Sequence, residues 1–88
     1  MDLFDKVVAL EEDASKFGFR WETTAQIMNQ IQSECVEIEE HLDDGIGTVC
    51  TANLQEEIGD LLHAVLSLCV FCKLSPRDTL HQSLAKFE

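Results

Sequence analysis

Acidic side chains that fall on the apolar faces of helices constrain this 88-residue chain more than any other feature. On a helical wheel of about 100° per residue, Ile27, Ile31, Ile38 and Leu42 share one stripe, and Glu34 lies inside it. Glu37 stands three residues further on, at the border of the stripe. In a later segment Leu54, Ile58, Leu61, Val65, Leu68, Cys69 and Cys72 define a wide apolar face. Glu57 sits on its edge beside Leu61, and Asp60 points toward Ala64 and Phe71. An ionised carboxylate held against a core is costly unless something positive compensates it. The chain has only 6 Lys and Arg against 17 Asp and Glu, and neither central segment carries a cation near these acids. Lys73 is the nearest in sequence. A divalent cation is the natural alternative partner. Two i,i+3 acid pairs on facing helices place four carboxylates around one or two hard cations. All-oxygen ligation suits Mg²⁺ or Mn²⁺, whereas Zn²⁺ more often recruits His or Cys. Among the other acids, Glu11, Glu12, Asp13, Glu39, Glu40 and Glu56 read as a solvated face.

The net charge of −11 disfavours broad electrostatic contact with a nucleic acid polymer or an anionic membrane. No apolar run reaches the roughly 18 residues of a membrane span, and the start is not a signal peptide, so a cytoplasmic protein is expected. Cys35, Cys50, Cys69 and Cys72 accordingly read as reduced thiols, mostly small core residues. With 45% hydrophobic residues, 4 Gly, 1 Pro and no Tyr, the composition favours helices over a disordered chain or a many-stranded sandwich.

Four helices follow from the pattern. The first runs from about Asp2 to Lys16, with Leu3, Val7, Leu10 and Ala14 at helical spacing and Gly18 as its stop. The second starts near Trp21–Thr24 and runs to about Asp43, before a loop at Asp44–Thr48. The third fits from Thr51 or Asn53 to Lys73. Ser75-Pro76-Arg77-Asp78 announces the fourth, with Ser75 as N-cap, Pro76 in the first turn and Asp78 reaching back as in a capping box. It is expected to reach the end of the chain. The fold class is all-α: a single domain over residues 1–88 forming a four-helix bundle. The third helix is apolar over most of its circumference, and three short neighbours cannot cover it, so a homo-oligomer is expected.

The order and spacing of the acids carry a further signal. Glu34-x-x-Glu37, nineteen intervening residues, then Glu57-x-x-Asp60 within Glu56-Glu57-Ile58-Gly59-Asp60-Leu61-Leu62 resembles the MazG-like all-α nucleoside triphosphate pyrophosphohydrolases. The resemblance extends upstream to Phe17-Gly18-Phe19-Arg20-Trp21 and downstream to Ala85-Lys86-Phe87. Ser33 stands where the family usually has the first Glu of a double Glu, and Lys86-Phe87-Glu88 lacks the basic residue that often follows in relatives. The resemblance implies Mg²⁺-dependent hydrolysis of a (deoxy)nucleoside triphosphate between the α and β phosphates, giving monophosphate and pyrophosphate, as in nucleotide-pool cleaning. It implies Glu34, Glu37, Glu57 and Asp60 as metal ligands, and a homodimer or homotetramer. Glu37 and Glu34 are the candidates for direct catalysis, Glu37 first as the acceptor of the attacking water's proton. Trp21 is a candidate to stack a base, Gln30 to touch sugar or phosphate, and Lys73 and Lys86 to touch phosphate. The competing reading, motivated by Ser33, is a degenerate relative that binds nucleotide or metal with little turnover. A purely structural bundle is the third, and it leaves four carboxylates beside apolar seams without a purpose.

Overall fold

The computed structural model describes residues 2–42 and 51–88, which form α1 (Leu3–Lys16), α2 (Thr24–Leu42), α3 (Thr51–Phe71) and α4 (Pro76–Ala85) with no strand among them. Asp43 and the expected loop at Asp44–Thr48 lie outside the described residues. Among the described residues no single helix is long and apolar enough to cross a membrane.

Local chemistry sets the helix ends. Asp2 caps α1, its side chain accepting from the Asp5 amide at 2.9 Å, and Ser75 caps α4 by accepting from the Asp78 amide at 3.2 Å. Thr23 Oγ1 accepts from the Gln26 amide at 3.3 Å just ahead of α2. Helices α1 and α3 end in the same way. Gly18 takes φ +85° while the Phe19 amide returns to the Ala14 carbonyl at 2.8 Å. Lys73 takes φ +60° while the Leu74 amide returns to the Cys69 carbonyl at 2.8 Å. Both are Schellman-type stops, one using the glycine that this geometry favours and the other a lysine. The lysine stop ends α3 at Phe71 rather than at the expected Lys73, and it puts Cys72 in the turn, exposed rather than in the core. Helix α4 likewise stops at Ala85, short of the chain end.

Helix α3 is the centre of the molecule. Helix α2 packs along it most extensively, and α1 and α4 lean on other parts of its surface. The α2 seam runs through Ile27, Ile31, Glu34 and Ile38, all buried or half-buried, with Ile27 wholly enclosed. Leu42, expected to continue it, is largely exposed. Helix α1 is rotated from the expected orientation: Leu3 is 79% exposed and Leu10 is 49% exposed, while Phe4, Val7, Val8, Glu11 and Ala14 are half-buried. The physical reason lies in Glu11, whose carboxylate turns inward to meet α3. Arg77 fastens α4 to the start of α1, pairing with Asp2, lying 3.7 Å from Asp5 and stacking over Phe4 at 5.3 Å from the ring centre.

One chain does not close around α3. Ile58, Leu62 and Val65 remain exposed on it. An apolar groove of about 480 Å³ runs between Leu3, Leu62, Val65, Leu66 and Leu80. The radius of gyration is 14.9 Å, where a compact domain of this length has about 12 Å. The accessible surface is 6823 Å², against about 5,200 Å² for a typical folded monomer of this mass.

With so little fully enclosed, Ile27 carries a large share of the α2–α3 packing. Ile27→Ala is expected to lower unfolding free energy by about 2–5 kcal/mol in urea titrations. A loss below about 1 kcal/mol would show that the seam is held elsewhere.

Candidate metal centre

Glu34 and Glu37 lie one turn apart on α2, and the register of the seam sets them opposite Glu57 on α3. One oxygen from each of the three lies within 4.8 Å of the others. Opposite oxygen ligands of a single Mg²⁺ are about 4 Å apart, so the spacing needs only slight closure to suit one hard cation. Glu34 is 8% exposed; Gln30 Nε2 donates to its Oε1 at 2.8 Å and thereby fixes the side chain. Glu34 Oε2 and Glu57 Oε2 are shut from solvent and have no hydrogen-bond partner. Buried polar atoms are nearly always satisfied, and two orphaned carboxylate oxygens in one niche are atoms that a proton or a bound cation would satisfy. Among the described residues no Lys, Arg or His forms an ion pair with Glu34, Glu37, Glu57 or Asp60. The donor set, all carboxylate oxygen, fits Mg²⁺ or Mn²⁺.

Electrostatics register the crowding. The carboxyl of Glu57 is pushed up from 4.5 to about 7, first by a hydrogen bond with Glu37, then by burial, then by the charges of Glu37, Glu34 and Asp60. Glu57 is half-buried as a residue, but its Oε2 is enclosed, which is where burial acts. Asp60, one turn along α3, stands outside the tight triad and is exposed, yet it is near enough to add to the charge on Glu57.

The other candidates divide. Gln30 and Trp21 share a cavity of about 260 Å³ with Glu34 and Asp60, which also takes in Glu11, His63, Ala64 and Ser67. Lys73 sits elsewhere, in a groove of about 630 Å³ with Arg20, Trp21 and Phe71. Phe71 alone is about 21 Å along the α3 axis from Glu57, so Lys73 stands at the Trp21 end and not beside the acids. Lys86 is exposed at the C-cap of α4 and lines neither of these spaces.

Glu11 is the residue that the sequence reading missed. It was assigned to a solvated face, yet Ser67 Oγ donates to its Oε1 at 2.5 Å and His63 Nε2 lies 3.5 Å from the same oxygen. The signal was present, because Glu11 is four residues after Val7 and three before Ala14, on their face of α1.

No protein-family profile matches the chain. Among curated proteins, it is 31% identical over 78 residues to the nucleoside triphosphate pyrophosphohydrolase/pyrophosphatase MazG of Thermotoga maritima. The match takes in 89% of this chain but spans only 28% of that relative's length. The described residues form four helices, and the similarity supports a MazG-like, all-helical protein.

The raised Glu57 pKa has a definite sign. Between pH 4.5 and about 7 the folded protein keeps a proton that the unfolded chain releases. Metal-free stability is therefore highest at the acid end of this window and falls as pH rises through it. Glu57→Gln is expected to match the parent near pH 4.5 and to melt at an equal or higher temperature at pH 8. A variant melting well below the parent at pH 8, without metal, would contradict the crowding of like charges.

Proposed function

We propose that this chain is a Mg²⁺-dependent nucleoside triphosphate pyrophosphohydrolase that cleaves (d)NTP to (d)NMP and pyrophosphate, acting in the cytoplasm to clean nucleotide pools. The observation that carries the proposal is the pair of enclosed, partnerless oxygens on Glu34 and Glu57 within the Glu34–Glu37–Glu57 cluster. Similarity to a pyrophosphohydrolase over 89% of the chain supports it independently. Mn²⁺ fits the same ligands.

The roles divide according to position. Glu34 and Glu57 would hold the cation through their enclosed oxygens, with Asp60 adding a further carboxylate from the next turn. Mg²⁺ held there would neutralise the triphosphate, which a chain of charge −11 otherwise repels. Gln30 keeps Glu34 in place by its 2.8 Å hydrogen bond. Glu37 is the most exposed member of the cluster and the one best placed to accept the proton of an attacking water. Trp21 offers an aromatic wall to the nucleoside end of the substrate. Lys73, distant from the acids in one protomer, is a candidate for a phosphate contact across a subunit boundary, and Lys86 is a candidate from its exposed position at the C-cap of α4.

We further propose that the working unit is a homodimer or homotetramer. The exposed apolar side of α3, the groove beside it and the excess of accessible surface all favour a second copy packed against this face.

Phosphorus NMR of the products in Mg²⁺ is expected to show monophosphate and pyrophosphate. Diphosphate and orthophosphate would reject the mechanism, and metal-induced stabilisation with no product from any nucleotide would favour the degenerate binder. Glu34→Gln and Asp60→Asn are each expected to lose at least about 100-fold in activity while keeping a native circular dichroism spectrum, since even residues behind the ligands of a metal site are worth up to about that much. Sedimentation at micromolar concentration is expected to give a dimer or tetramer; an active species near 9.9 kDa would contradict the oligomer.

A further inference from the structure

The cavity beside the acid cluster contains a polar arrangement that metal binding does not use. It lies among α1, α2 and α3, and Glu34 and Asp60 belong to its wall, so it opens directly from the cluster. Trp21 and Ala64 give it apolar surface. Ser67, only 4% exposed, sits seven residues beyond Asp60, about 10 Å along α3. That separation is comparable to the span from a nucleotide's phosphate to the far edge of its base.

Glu11 crosses from α1 to meet this wall. The Ser67 hydroxyl donates to Oε1, and His63 Nε2 approaches the same atom, so both contacts fall on one oxygen. They fix the carboxylate through Oε1, and among the described residues no side chain donates to Oε2 of this cavity-lining glutamate. A carboxylate is acceptor-only, and its hydrogen bonds are charge-assisted. An exocyclic amino group on a base is a matching donor, as in carboxylate recognition of the cytosine N4 amine. A carbonyl oxygen at that position meets the carboxylate lone pair to lone pair and is rejected. Trp21 lines the same cavity and supplies a face on which any base can stack.

We propose that this cavity receives the nucleobase and that Glu11, held by Ser67 and His63, selects bases carrying an exocyclic amino group over their oxo counterparts. The inference rests on the nucleotide reading above and names the substrate class that the same site prefers.

The test uses Trp21, the sole tryptophan, as the reporter. Its fluorescence is followed while the intact protein is titrated with CMP against UMP and with AMP against IMP, pairs in which an exocyclic amino group is exchanged for a carbonyl oxygen. CMP and AMP are expected to bind about tenfold tighter or more, as one hydrogen bond to a charged group provides. Glu11→Gln, checked for native circular dichroism, is expected to bring each pair within about threefold, because an amide offers both a donor and an acceptor. Because Glu11→Gln also weakens the α1–α3 contact, the parent titrations decide the question by themselves. Equal or preferential binding of UMP and IMP, or no response to any nucleotide, would overturn the inference. A preserved preference in a folded Glu11→Gln variant would do the same. Triphosphate hydrolysis without discrimination between CTP and UTP would sink this inference and leave the pyrophosphohydrolase reading intact. Amino-base preference in the titrations without any hydrolysis would do the reverse.

Discussion

The seam between α2 and α3 holds carboxylates that have no cationic side chain to answer them, and the rest of the structure is arranged around that fact. Glu34 takes a core position between Ile31 and Ile38, and only one of its oxygens is satisfied, by Gln30. Glu57 meets it from α3, close enough to Glu37 for the two to share a proton when no metal is bound. A hydrophobic pair in these places would pack without tension. The acids instead keep a site whose charge must be answered from outside, by protons or by a divalent cation.

That tension sits in a protomer with little enclosed core. Ile27, Ala64, Cys69 and Pro76 are the buried apolar residues among those described, whereas Leu62 and Val65 face outward from the central helix. A chain that spends its best core positions on Glu34 and Ser67 has less apolar area left to stabilise it. The proposed association with a second copy would cover this apolar side of α3.

Much of this was legible from the residues. Period 3.6 in the apolar pattern located the first three helices, while Ser75-Pro76 announced the fourth and Gly18 marked a stop, because caps are local chemistry. The placement of Glu34 within the α2 stripe was equally readable, since i,i+3 and i,i+4 neighbours share a face whatever the tertiary fold. The end of α3 was not readable in the same way. Lys73 adopts a left-handed conformation that favours glycine, and only the returning Leu74–Cys69 hydrogen bond and the coming Pro76 explain it. The rotation of α1 was also hidden. Leu3 and Leu10 outweigh Glu11 on a hydrophobicity scale, but the partner that turns Glu11 inward, Ser67, is fifty-six residues away. Separating Asp60 from the Glu34–Glu37–Glu57 triad likewise required the register of two helices, which no single-helix wheel contains.

The central claim is that the carboxylates in the α2–α3 seam hold a divalent cation. Calorimetric titration of Mn²⁺ into the protein at pH 7, in two buffers of different ionisation enthalpy, tests it most directly. With the Glu57 carboxyl at about 7, binding is predicted to release about half a proton per site, seen as buffer-dependent heat that vanishes in Glu34→Gln. Absence of binding, or heat indifferent both to the buffer and to Glu34→Gln, would contradict it.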